Sequence, residues 1–132
     1  MPIENELIIS ESDYEKLSRL VEVSRSDATV ALDEELLKAD VYRDSLMPSD
    51  IVSLYSTTHI KDVKTGNKRI VTIVMPWESN VTEMRISILS PVGIILIGAR
   101  VGAVIDWPLL NNRSTKLEIV EVLSASRELY HA

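Results

Sequence analysis

The chain contains no cysteine and no phenylalanine, and only two histidines. Without cysteine there is no disulfide, no zinc held by thiolates and no thiol nucleophile. His59 and His131 have no His or Cys partner at ligand spacing, so both read as surface residues, and no metal site or cofactor is expected. Long apolar runs are missing too: Val92 to Ile97, interrupted by Gly93, falls far short of the ~20 residues a membrane span requires. Pro2-Ile3-Glu4-Asn5-Glu6 is acidic and Leu7-Ile8-Ile9 is too short for a signal peptide, so a cytoplasmic location is expected. There is no internal repeat and no low-complexity segment.

What is present suffices for a folded domain: 132 residues, 45% of them apolar. The net charge of -6 is unevenly spread, with thirteen acidic against five basic residues in 1–50 and seven against nine in 51–132. Nucleic-acid backbone contacts call for Lys and Arg in whatever protrudes, so an acidic front half argues against direct nucleic-acid binding. It suits a basic protein surface, or simply a solvated pair of charged helices.

Start signals divide the front half. Ser10 precedes an acidic first turn containing Asp13, Ile9 and Tyr14 stand at the two positions of a hydrophobic staple, and Leu17, Leu20 and Val21 continue at helical spacing. Ser24-Arg25-Ser26-Asp27 breaks the pattern. Asp27 is the expected cap of a second helix, on which Leu32, Leu36 and Ala39 share a face while Asp33, Glu34, Glu35 and Lys38 occupy others. Pro48 ends this part, because it lacks a donor and pushes Met47 out of the helical region.

The back half reads mainly as strands: Ile51-Val52-Ser53-Leu54-Tyr55, His59 to Val63, Lys68 to Met75, Ile86 to Leu89, Val104 to Trp107 and Leu117 to Leu123. Gly66 in Thr65-Gly66-Asn67 supplies the positive φ of a hairpin turn, and Asn111-Asn112 is a second turn pair. Lys61, Lys64, Lys68 and Arg69 surround the first turn, either as a solvated loop or as a contact for an acidic partner. Between the strands, Ser90 caps and Pro91 starts a short, largely buried helix that ends at Gly98.

The run Ser90-Pro91-Val92-Gly93, with Leu96, Gly98, Val101-Gly102 and Trp107-Pro108 after it, resembles the C-terminal domain of the GreA and GreB transcript-cleavage factors. Ile8-Ile9, Ala31-Leu32, Met47-Pro48, Asp50, Val52, Val74, Pro76 and Leu117-Glu118-Ile119 extend the resemblance over most of the chain, toward the Rnk (regulator of nucleoside diphosphate kinase) branch of that superfamily. It departs from the family pattern at two turn positions, Ala103 and Asn111-Asn112.

The resemblance implies an α+β protein: a short N-terminal antiparallel helical hairpin in 1–46, then an FKBP-like antiparallel sheet domain with one short helix in 47–132. It implies a non-catalytic, monomeric transcription regulator that binds core RNA polymerase near its secondary channel and competes with GreA/GreB-type factors. Docking is expected around Ser90, Pro91, Val92 and Gly93, with Asp27 at the hairpin tip. Cleavage factors of this family carry acidic side chains on long arms to the polymerase active centre, where they help hold magnesium. Here Asp27 is the only carboxylate in the bend and the arms are short, which points away from cleavage. Two other readings stay open: an interaction domain with a different protein partner, and a prolyl isomerase. The isomerase reading needs an aromatic-lined pocket, for which Trp77 and Trp107 are the candidates.

Overall fold

The computed structural model describes residues 7–124, so His131 and the acidic segment 2–6 lie outside the described residues. Strand β1 (Ile8–Ser10) runs directly into helix α1 (Glu11–Val23), and the extended Ser10 caps it by accepting the Asp13 N–H at 3.1 Å. Ile9 is buried and Tyr14 packs against the same core, as the staple pattern requires. Helix α2 (Asp27–Lys38) follows after three residues and buries Thr29, Leu32 and Leu36, one apolar stripe at helical spacing. It leads into β2 (Asp40–Tyr42), which pairs in parallel with β1 through Ile8↔Asp40, Ile9↔Val41 and Ser10↔Tyr42. The two helices between these neighbouring strands pack on each other.

The remaining strands are β3 (Thr57–Asp62), β4 (Lys68–Val74), β5 (Arg85–Ser87), β6 (Val104–Pro108) and β7 (Ser114–Leu123), in one sheet of order β5-β4-β3-β7-β6. All pairings are antiparallel except β4 with β5. Helix α3 (Pro91–Leu96) crosses from β5 toward β6. Gly66 closes the β3–β4 turn at φ +80°, and Asn111 and Asn112 both take left-handed angles between β6 and β7, where a short polar side chain tolerates them.

Of the expected strands, Ile51–Tyr55 does not form and Ile86–Leu89 forms only in its first half, as part of β5. Ile51 makes a single bridge to Arg100, Val52 and Ser53 belong to no strand, and Leu54-Tyr55 is a turn, with Tyr55 at φ +69°. Ser56 explains this: its hydroxyl accepts the Ser53 N–H at 3.1 Å and donates to the Ser53 carbonyl at 2.9 Å, a local closure that competes with a ladder. Ile88 and Leu89 likewise turn away after β5, with the Leu89 N–H donated to the Ser87 hydroxyl at 3.0 Å. Ile51, Val52, Leu54 and Ile88 are buried all the same, because burial here depends on position under the sheet and not on strand conformation. One core results: Leu17, Leu20, Leu32 and Leu36 of the helical pair join Ile60, Val71, Ile73, Leu96, Leu117 and Ile119. No helix among the described residues is long and apolar enough to cross a membrane.

Candidate interaction site

The edge of the sheet at β5 is shaped by short hydrogen-bonded turns. Ile88 donates its N–H to the Val74 carbonyl at 2.8 Å, which brings Ser90 back beside Ser87. The Ser90 hydroxyl then donates to the Ser87 carbonyl at 2.8 Å and accepts the Gly93 N–H at 3.0 Å, so one side chain fixes both the turn and the start of α3. Gly93 is required by space: a Cβ there would stand 2.3 Å from the Ser87 carbonyl oxygen. Of the four residues expected at this edge, Pro91 is exposed and Ser90 half-buried, whereas Val92 and Gly93 are buried. Val92 and Gly93 therefore give the edge its shape, and its outward surface comes from Pro91 and from Ile95, 40% exposed.

Two further apolar side chains border the same strand. Trp77 is 74% exposed on a 3-10 turn (Pro76–Glu78), and Val81 is 86% exposed on the next (Val81–Glu83); both turns pack on β5. The sequence signal for this exposed pair is slight, a tryptophan beside a proline. Trp107 lies on β6, at the opposite edge of the sheet, with the Arg69 guanidinium 5.3 Å from its ring centre.

At the tip of the helical pair the expected cap is displaced by one residue. Ser26, extended at φ -158° and ψ 170°, is the N-cap, and it forms a reciprocal box with Thr29: each side chain accepts the other's N–H, at 3.2 and 2.9 Å. Asp27 is already helical, the first residue of α2, and is exposed there beside exposed Arg25. A carboxylate in this first turn faces the positive end of the helix dipole without capping it. Asp33 and Glu34 are exposed and Glu35 half-exposed on α2.

The base carries a residue that sequence spacing did not reveal. Asp13, expected as part of an acidic first turn, is buried, and its carboxylate accepts the Leu54 N–H at 3.0 Å. Burial raises its pKa, against the pull of the Leu54 N–H and Lys16 and with a push from Asp44. Asp44 in turn accepts the Ser12 N–H at 3.1 Å. One turn further along α1, the Lys16 ammonium stands 5.6 Å from the Tyr55 ring centre, and the Tyr55 hydroxyl donates to Glu78. Glu78 also accepts the Met75 N–H at 3.2 Å, so a polar chain runs from α1 to the turn that presents Trp77. Elsewhere His59 is half-buried with Nδ1 3.8 Å from Glu121. Among the described residues no group of three or more His, Asp or Glu side chains is placed to hold a metal ion.

A curled sheet, a packed helical pair and a serine-capped short helix at the sheet edge make this an α+β protein. Residues 47–124 match the family model for the C-terminal part of the transcription elongation factors GreA/GreB. The chain belongs to the GreA/GreB family. It is 31% identical over 119 residues to the regulator of nucleoside diphosphate kinase of Escherichia coli K12, covering 88% of each chain. It is 34% identical over 74 residues to transcription elongation factor GreA of Thermosipho melanesiensis, covering 56% of this chain and 46% of that one. Among solved structures, a GreA/GreB transcription elongation factor from Nitrosomonas europaea superposes with TM-score 0.80 at 30% identity, covering 90% of this chain and 98% of the other. GreA factor homolog 1 of Thermus thermophilus shares the fold at TM-score 0.53 and 21% identity, over 90% and 99% of the two chains.

Proposed function

We propose that this protein is a non-catalytic regulator that binds core RNA polymerase near its secondary channel and competes there with GreA/GreB-type factors. The sheet domain from residue 47, read as FKBP-like, docks through Pro91, Ile95 and the neighbouring Trp77, while residues up to 46 present the hairpin as a plug. The protein acts as a monomer in the cytoplasm, and its effect is occupancy.

The observation that carries this reading is the sparse tip on a short arm. Helix α1 has 13 residues and α2 has 12, and at ~1.5 Å per residue the pair reaches roughly 20 Å. Asp27 is the one carboxylate in the bend, with Arg25 two residues away. A magnesium ion shares several oxygen ligands and keeps much of its water, which a lone exposed carboxylate does not provide. The test is displacement. Saturating protein should release a pre-bound GreA-type factor from core polymerase, and Pro91→Asp, with its fold verified by circular dichroism, should weaken that release. Full retention of the factor at saturation overturns the proposal.

A further inference from the structure

The strand directions place a second surface at the far end of the sheet. β4 runs from Lys68 to Val74, and Val74 is where β5 and α3 gather, so the two turns at the other end, 63–67 and 109–113, face away from both α3 and the helical pair. They lie side by side, since Asp62 pairs with Leu117 and the Val63 N–H donates to the Lys116 carbonyl at 3.0 Å.

Positive charge collects there at a cost to the sheet. Lys61 and Lys68 are directly opposed across β3 and β4. The Asp62 N–H donates to the Asn67 carbonyl at 2.7 Å, which makes 62/67 the hydrogen-bonded pair and Lys61/Lys68 the non-hydrogen-bonded one, whose side chains are closer. Like charges so placed destabilise a ladder. Glu118 stands across from Lys61 on β7 without forming an ion pair. Among the described residues Lys61, Lys64, Lys68 and Arg113 have no ion-pair partner, whereas Lys116 is held by Asp106 at 2.8 Å. The turn's own carboxylate, Asp62, is engaged internally by the Lys64 and Thr65 N–H groups and the Thr115 hydroxyl.

Apolar side chains share this end: Val63 is 54%, Leu109 47% and Leu110 85% exposed. We propose that the two turns form a docking surface for an acidic segment of a partner protein, its carboxylates meeting Lys61, Lys64 and Lys68 and its apolar residues meeting Val63 and Leu110. A single-stranded nucleic acid fits less well, because base stacking needs an open aromatic face and the local one, Trp107, has Arg69 over it. This surface is independent of polymerase docking at the opposite end.

The test uses the full chain and a fluorescein-labelled glutamate-rich peptide with spaced leucines, beside oligo-dT of matched charge, read by anisotropy. The peptide should bind in low salt, more tightly than oligo-dT, and Lys68→Glu should weaken it about tenfold. Because Lys68→Glu turns a repulsive cross-strand pair into an attractive one, it should also raise the thermal midpoint by ~1–4 °C, so that lost binding is not lost folding. Leu110→Ser should weaken the peptide and leave the midpoint unchanged. Preference for oligo-dT, absence of peptide binding, or binding indifferent to Lys68→Glu overturns the proposal.

Discussion

The two ends of the helical pair are held by different means. At the base, α1 and α2 are clasped by the parallel strands β1 and β2, Asp13 receives the Leu54 N–H from beneath the sheet, and Asp44 receives Ser12. At the tip there is a capping box between Ser26 and Thr29, and around it Val23 and Val30 stand 81% and 56% exposed. The base is held by contacts with distant parts of the chain, and the bend by a bond between near neighbours. The proposed plug rests on this contrast, since the bend offers one carboxylate, Asp27.

The largest effect should come from cutting the core that the helical pair shares with the sheet. Leu32 is fully buried on α2, so Leu32→Ala should cost about 2–5 kcal/mol in denaturant unfolding, as transfer and cavity terms add. Val30→Ala, two residues earlier on the exposed side, should stay within ~0.5 kcal/mol. Equal losses at the two positions would break the distinction between the buried inner face of α2 and its free outer one.

The next effect isolates the Asp13 contact. Asp13→Ala leaves the Leu54 N–H without its acceptor in a buried place and should cost about 1–3 kcal/mol. The pH dependence has a definite sign. Because burial raises the folded pKa of Asp13 above the ordinary 3.8, the folded state holds the proton more firmly than the unfolded chain does. Its contribution is therefore fully present below the unfolded value and is lost as pH rises through the folded one. Asp13→Asn keeps an oxygen for Leu54 and removes the titration. Unfolding curves measured from acid to neutral pH should show this component of the slope gone. An unchanged slope would mean that Asp13 does not titrate differently on folding.

Much of this architecture was legible where one residue does one local job. Ser10, Ser90 with Pro91, Gly66 and Asn111-Asn112 each announce a cap or a turn by their own backbone chemistry, and the structure has them there. The misreadings share a cause: a distant or competing partner overrides the local pattern. Asp13 looks like any first-turn acid until Leu54, 41 positions away, is brought against it. Ile51–Tyr55 has strand composition, but the Ser53–Ser56 closure takes the backbone elsewhere. Asp27 lost the cap to Ser26 because Thr29 answers Ser26 from three residues on. At the docking edge the motif Ser90-Pro91-Val92-Gly93 was visible, but not which half of it faces outward, since four successive residues on a short helix carry no sign of what covers them.

The smallest expected effect lies at the tip, and it bears most directly on function. Ser26→Ala removes the hydroxyl that accepts the Thr29 N–H and should cost about 1 kcal/mol. Asp27→Ala should cost less, about 0.3–1 kcal/mol, because the carboxylate only faces the dipole of α2 from its first position. The order of the two losses tests the cap assignment, since a larger loss at Asp27 would return that role to it. The same variant decides between plug and catalyst. If the hairpin acts by occupancy, backtracked polymerase complexes should release no cleaved RNA above background with the wild-type protein, and Asp27→Ala should displace a GreA-type factor as well as wild type does. Stimulated cleavage that disappears in Asp27→Ala would show that this single exposed carboxylate reaches and serves the polymerase centre after all, and the plug reading would fall with it.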